Sequence, residues 1–233
     1  MRPGDDLGAL IAHAQLEPGD VLAVAHKVVS KAEGRVRLIS EIRPGERAIE
    51  LARRLGKDPR HVQAVLEESR ELLRAARGVL VCVTHHGFVC ANAGVDASNA
   101  GTADALVLLP RDPDRSARAL RARLRELTGV APAVVITDTF GRAWRNGQVE
   151  VAIGCAGIRP LDDWRGRRDS NGRELRATLT AVADQAAAAA DLVRRKDSRQ
   201  PVVVVRGLER YAIDDDGPGA AALVRPEQED LFR

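Results

Sequence analysis

Aromatic residues are nearly missing from this chain of 233 residues: three Phe, two Trp and one Tyr make up 3% of it. Its core must therefore be built from Val, Leu, Ile and Ala. Cysteine is scarce as well. Cys82, Cys90 and Cys155 are odd in number, and no two of them form a Cys-x-x-Cys. That excludes a zinc knuckle and a disulfide framework and predicts a reduced, cytoplasmic setting. Cys82, inside Val79-Leu80-Val81-Cys82-Val83, reads as a small buried hydrophobe. An excess of one charge is lacking too: 36 basic and 33 acidic side chains leave +3, with both signs interleaved. No nucleic-acid groove is indicated. No apolar run nears the ~18 residues of a membrane span, and no signal-peptide pattern opens the chain. The usual nucleotide motifs are also absent. There is no Gly-x-x-x-x-Gly-Lys-Ser/Thr and no Gly-x-Gly-x-x-Gly after a strand. No Ser/His/Asp or Cys/His constellation is legible.

What is there suits one large globular domain or two small ones, at 45% hydrophobic and 30% charged residues. Strands are predicted at Val21–Ala25, around Val36 and Leu38, and at Val79–Val83, with Gly87–Cys90 as a hairpin partner or continuation. Further strands are predicted at Ala105–Leu109, Ala133–Thr137, Val149–Ile153 and Pro201–Val205. Helices are predicted at Leu7–Gln15, from Pro44-Gly45-Glu46 to Gly56, and at Asp112–Leu127. Asp58-Pro59 opens another, with Asp as N-cap and Pro in the first helical position. Its stripe of Val62, Val65, Leu66, Ser69, Leu72, Leu73 and Ala76 extends that helix to Gly78. An Ala-rich helix is expected over Glu174–Lys196. Strands and helices mix without strict alternation, so the fold class is α+β, a mixed or antiparallel sheet with packed helices.

Two stretches carry the chemistry: Ala91-Asn92-Ala93-Gly94-Val95-Asp96-Ala97-Ser98-Asn99 and Ile136-Thr137-Asp138-Thr139-Phe140-Gly141-Arg142-Ala143-Trp144-Arg145-Asn146-Gly147. Each follows an apolar run and places a lone carboxylate where the strand is expected to end, among small residues, amides and hydroxyls. Either Asp alone could be a turn-former. The two together can hold divalent cations against phosphate oxygens, with Thr139 and Asn99 as further oxygen donors. Glycines 94, 101, 141 and 147 flank the clusters and let backbone N–H groups approach an anion, or simply shape turns. Arg142 and Arg145, bracketing Trp144, suit bidentate binding of a phosphate or carboxylate; a surface ion-pair role is the plainer alternative. Ser30-Lys31 offers a point charge to a nucleotide phosphate. His85 and His86 point to opposite faces of a strand and cannot both be ligands there. Arg165-Gly166-Arg167-Arg168 reads as an exposed loop, and Asp169-Ser170-Asn171-Gly172 as a turn before a helix. Asp184 faces either solvent or the site.

At these residues the sequence resembles the coenzyme F420:L-glutamate ligase, or F420-0:gamma-glutamyl ligase, family. The likeness runs nearly end to end. It includes Lys27-Val28-Val29-Ser30-Lys31-Ala32-Glu33-Gly34-Arg35, both Asp clusters, Val151-Ala152-Ile153-Gly154, Ala183-Asp184, Val204-Val205-Arg206-Gly207 and Leu223-Val224-Arg225-Pro226. The resemblance implies the fold of that family and a homodimeric, GTP-dependent ligase. Such an enzyme moves the γ-phosphate of GTP to the phospholactyl carboxylate of F420-0, and L-glutamate attacks the acyl phosphate. Later cycles add γ-linked glutamates. The implied cofactors are GTP and two Mg²⁺ or Mn²⁺ ions, with K⁺ as an optional further ion. Carried over by position, Asp96, Asp138 and Thr139 hold metal, with Arg142 beside the reacting groups. His26, Ser30, Lys31, Asn99, Arg206 and Gly207 contact the nucleotide. Position 26 is His where relatives commonly carry small hydroxyl residues. The resemblance leads to the expectation that the chain opens at Met1 just after the point where relatives have an extra strand and a Leu-Pro segment, and that no nitroreductase-like domain follows Arg233. One ligase domain over 1–233, without that strand, is the expectation. Two other readings stay open: a metal-dependent phosphohydrolase on the same Asp pair, and a nucleotide-binding module without turnover.

Overall fold

A computed structural model describes residues 1–98, 104–194 and 197–231. Among these, in chain order, lie α1 Leu7–Ile11, β1 Val21–Ala25, α2 His26–Ala32, β2 Val36–Leu38, α3 Glu46–Leu55, α4 Pro59–Glu67, β3 Ser69–Ala76, β4 Val79–Thr84, β5 Val89–Ala91, β6 Ala105–Val107, α5 Pro113–Thr128, β7 Ala133–Arg142, β8 Arg145–Ala156, β9 Leu161–Asp163, β10 Leu179–Ala181, α6 Val182–Val193 and β11 Val202–Val205. The fold is α+β, with mixed and antiparallel sheets and packed helices. No described helix is long and apolar enough to cross a membrane. The chain groups into two compact units. One holds residues 1–7, 25–113 and 138–149; the other holds 8–24, 114–137 and 150–233.

The first unit packs α3 and α4 over the antiparallel sheet β3-β4-β5, while β2 and β6 pair separately. Its core joins Leu51, Val62, Val65, Leu80, Cys82, Leu106 and Leu108. The helix ends follow local chemistry. Asp58 accepts the Arg60 N–H at 2.8 Å, with Pro59 at the helix start, and Gly56 closes α3 at φ 65°.

The helix expected to run on to Gly78 stops at Glu67. Val62 and Val65 are buried on α4, but Leu72 and Ala76 belong to β3, opposite Cys82 and Val79 of β4. The cause is the turn Arg77-Gly78, with φ of 50° and 74°. Two consecutive positive φ values make a tight hairpin turn that suits strand twist. Pairing with the apolar β4 overrides the helical propensity of a Leu-, Arg- and Ala-rich segment.

The second unit carries the four-stranded sheet in the order β11-β1-β7-β8, with β1 and β11 antiparallel. β7 and β8 continue past this unit at Thr137 and Glu150. α6 buries Ala183, Ala186, Ala187 and Ala190, a stripe at helical spacing. Ala183, Ala186 and Ala187 lie against Val21, Ala133, Val135 and Ala152. On α5, Arg121 holds the acidic turn, donating to the Asp216 carboxylate at 3.0 Å and the Asp214 carbonyl at 2.9 Å.

Two further expectations are corrected here. α6 begins at Val182, not Glu174, because Leu179–Ala181 pair with Leu161–Asp163. The predicted end at Lys196 lies outside the described residues. β7 runs to Arg142 and β8 starts at Arg145, so Asp138 lies within a strand rather than at its end. Hairpin pairing satisfies the backbone of the polar Asp138–Arg142 stretch, which no apolar pattern marks as strand.

Asp184, on the first turn of α6, turns inward and accepts the Ala152 N–H at 2.9 Å. Burial pushes its carboxyl above the ordinary 3.8, and that N–H offsets part of the shift. A carboxyl whose folded-state pKa is raised costs nothing below the unfolded value. It costs progressively more stability as pH rises through the folded value. Asp184→Asn keeps the acceptor oxygen and removes the charge. It should raise the melting midpoint at pH 7, with about 2–4 °C for each kcal/mol recovered in a chain of this size. The gain should vanish below pH 3.8. Equal midpoints at pH 7 would show that burial of Asp184 costs nothing.

Candidate active site

α2 follows β1 without a loop, Ala25 serving as its N-cap residue. His26, Val29 and Ser30 are buried at helical spacing, which fixes the rotation of the helix. That rotation turns His26 and Lys27 onto the two carboxylates. Lys27 Nζ lies 2.5 Å from Asp96 Oδ2 and donates to Ser98 Oγ at 2.8 Å. The Ser98 hydroxyl donates to Asp96 Oδ2 at 2.9 Å, and the Ser98 N–H to Oδ1 at 2.6 Å. His26, 2% exposed, brings Nε2 to 3.2 Å from Asp138 Oδ1 without a hydrogen bond forming there. Its Nδ1 lies 3.4 Å from Ser30 Oγ. The Thr139 N–H donates to Asp138 Oδ1 at 2.8 Å. Asp96 and Asp138, remote in sequence, thus meet adjacent residues of one helical turn.

The electrostatics follow from this arrangement. Burial raises the Asp96 carboxyl, but the Lys27 ammonium and the Ser98 N–H and hydroxyl more than offset it, so Asp96 titrates below 3.8. The backbone of Asp96 is pinned as well. Its N–H donates to Val107 O at 3.0 Å, and Val107 N–H returns to Asp96 O at 2.8 Å. The approach to Asp96 is a left-handed turn, with φ of 51°, 52° and 70° at Asn92, Ala93 and Gly94. Such strain in non-glycine residues gathers at functional sites. The Cys90 thiol is pushed up to about 12 by burial and the Asp138 charge, which makes it inert as a nucleophile.

The other candidate residues fall out as follows. Lys31 lies one turn beyond Lys27 on α2. Arg142 closes β7 and donates to the Asn146 carbonyl at 2.7 Å across the hairpin. Trp144 sits at the hairpin tip, 84% exposed. Arg206 and Gly207 belong to the second unit. There Arg206 donates to Asp20 Oδ1 at 2.9 Å and to the Gln15 carbonyl at 3.0 Å, and the Gly207 N–H donates to Glu209 Oε1 at 3.0 Å. Asn99 lies outside the described residues. His85 and His86 bond to separate carbonyls, of Glu67 and Pro110. Lys27 and Ser98 were not singled out from the sequence as site residues. The cue was present: a cation in the first turn after an apolar strand, inside a stretch already quoted for the resemblance.

Among the described residues no three His, Cys, Asp or Glu side chains converge as a metal cage. The donors at hand are hard oxygens: the Asp96 and Asp138 carboxylates, with the Thr139 hydroxyl on the other face of β7. That set fits Mg²⁺ or Mn²⁺, which take one or two carboxylates and complete their shell with water and phosphate oxygens. The Lys27 ammonium against Asp96 is a protein cation standing where such an ion would be drawn.

Fold and site together define an α+β protein that sets two carboxylates against adjacent residues of one helix, Asp96 against Lys27 and Asp138 against His26. A family model described as F420-0:Gamma-glutamyl ligase matches residues 1–207, and the chain belongs to that family. It is 51% identical over 236 residues to the Coenzyme F420:L-glutamate ligase of Methanopyrus kandleri, covering 100% of this chain and 93% of that protein. It is 47% identical over 235 residues to that of Archaeoglobus fulgidus, covering 100% and 92%. The protein of the same name from Methanothermobacter thermautotrophicus is 46% identical over 238 residues, covering 99% and 93%.

Proposed function

We propose that this ligase joins L-glutamate to the phospholactyl carboxylate of F420-0 in F420 biosynthesis, at the expense of GTP and through an acyl phosphate. The observation that supports this most is the placement of Asp96 and Asp138 on Lys27 and His26, adjacent residues of α2. An oxygen of the F420-0 carboxylate attacks the γ-phosphorus, and the bond to the bridging oxygen breaks, releasing GDP. The glutamate amine then attacks the acyl carbon. Inorganic phosphate leaves with its electron pair, and the amine proton passes to solvent. Divalent ions held by Asp96, Asp138 and Thr139, two of them in this reading, would neutralise phosphate charge and align the transfer.

The protein's part is positioning. Lys31, with Lys27 once released from Asp96, supplies positive charge to phosphate oxygens. His26 and Ser30 are assigned to the nucleotide in this reading, and Arg142 to bidentate binding of an anionic group. Asn99 is assigned to the nucleotide in this reading as well. The enzyme works in the cytoplasm as a homodimer, with the whole chain as one ligase domain. Further cycles extend the product by γ-linked glutamates.

The test uses F420-0 labelled with ¹⁸O in its carboxylate, with L-glutamate, GTP and Mn²⁺. Mass spectrometry should show a gain of one or more glutamyl units, one GDP per amide, and ¹⁸O in the released phosphate. Phosphate free of ¹⁸O would overturn the acyl-phosphate route. GDP without amide would favour the phosphohydrolase, and nucleotide binding without turnover the binding module.

A further inference from the structure

Arg194 caps the C-terminal end of α6 and is buried together with Glu150 of β8, their side chains being 8% and 6% exposed. Its Nη2 donates to Glu150 Oε2 at 2.9 Å and to Thr137 Oγ1 of β7 at 3.0 Å. Its Nη1 reaches the Pro201 carbonyl at 3.3 Å. One guanidinium thus ties β7 and β8 at a single level. The desolvation of such a pair is costly, and apolar residues of like volume often serve stability as well or better. What apolar residues lack is direction. A planar fork fixes where its acceptors sit.

The position of Thr137 gives that direction a use. Ala133 and Val135 face the core beneath α6. Alternation along the strand puts Thr137 on the same face and Asp138 on the opposite one. β7 is buried through Thr137, half-buried from Asp138 to Phe140, and exposed at Gly141 and Arg142. Burial therefore sets the register up to Thr137 and weakly beyond it. The Thr137–Arg194 bond is a buried polar anchor immediately before the carboxylate.

We propose that Arg194, with Glu150, is a positioning residue that holds β7 at Thr137 and so aims Asp138 at a divalent cation. This rests on the metal-binding role given to Asp138 above. Neither Arg194 nor Glu150 touches the ion.

Thr137→Val removes the hydroxyl at constant shape, Thr137→Ser restores it, and Arg194→Met with Glu150→Met replaces the pair by apolar side chains. The readouts are Mn²⁺ binding followed by paramagnetic resonance and hydrogen exchange of the 138–142 peptide. Thr137→Val and the double variant should melt within a few degrees of the parent. Both should bind Mn²⁺ roughly 10-fold more weakly, the lower end of what outer-shell partners confer on a metal, with faster exchange at 138–142. Thr137→Ser should bind as the parent does. Parent-like Mn²⁺ affinity in folded Thr137→Val would overturn the proposal, even if the double variant failed to fold. An Asp138→Asn control separates the two ideas. If it loses Mn²⁺ while Thr137→Val does not, the clamp alone is wrong. If it binds Mn²⁺ like the parent, the metal reading fails and takes the proposal with it.

Discussion

Asp138→Asn and Asp96→Asn should each cut amide formation by on the order of 10³-fold, beyond the 10–100-fold that outer-shell support of a metal is worth, while leaving the protein folded. The amides keep the size and one oxygen of each carboxylate and lose the charge that attracts a cation. Folding should survive for reasons specific to each site. In Asp138→Asn the remaining side-chain oxygen would still accept the Thr139 N–H, which Asp138 now holds at 2.8 Å, and the His26 contact that is lost is not a hydrogen bond. Asp96→Asn gives up the pairing with Lys27, but the Asp96 side chain is 41% exposed, and pairs in such settings are worth about 1 kcal/mol or less. The check is turnover beside Mn²⁺ binding and a melting curve. Full turnover in both variants would remove the two carboxylates from the chemistry.

The pH dependence carries a sign. Asp96 has its folded-state pKa held below 3.8. Its contribution to stability is therefore complete above the unfolded value and is lost as pH falls through the folded one. A cation site that uses Asp96 stays charged throughout the neutral range.

Gly94→Ala is expected to give the largest stability loss of any conservative change near the site. Gly94 has φ 70°, and a Cβ there would sit 2.7 Å from Leu109 Cγ and Cδ2 and 2.8 Å from Cδ1. Leu109 is 1% exposed, so its side chain has nowhere to swing. A left-handed non-glycine residue costs about 1–2 kcal/mol, and overpacking a core costs about 1–3 kcal/mol. The sum, roughly 2–5 kcal/mol, lowers the melting midpoint by about 5–20 °C in a chain of this length. The turn that Gly94 completes delivers the chain to Asp96, so turnover should fall as well. A variant melting with the parent would show that Leu109 yields.

Local chemistry was legible from the residues alone wherever a segment's own pattern decides its state. Asp58-Pro59 and Gly56 mark helix ends without help from elsewhere, and the apolar runs of β1, β4 and β11 read as strands. Both carboxylates could be picked out because each stands alone amid small polar residues. Some features needed partners distant in sequence. The segment Ser69–Ala76 reads as helix until β4 is laid beside it. Asp138–Arg142 has no apolar alternation and becomes strand by pairing with β8.

Short-range propensity, capping and hydrophobic period act within a few residues. They were enough to establish the α+β class and most element positions, and the order of residues carried the family likeness and the two Asp clusters. Three-dimensional packing was needed to bring His26 and Lys27 onto Asp138 and Asp96, to turn Asp184 inward, and to close Arg194 on Thr137 and Glu150. Each of these joins residues that the chain's own neighbourhood does not bring together. A charged side chain carries no mark of which opposite charge will meet it once the strands have found their neighbours.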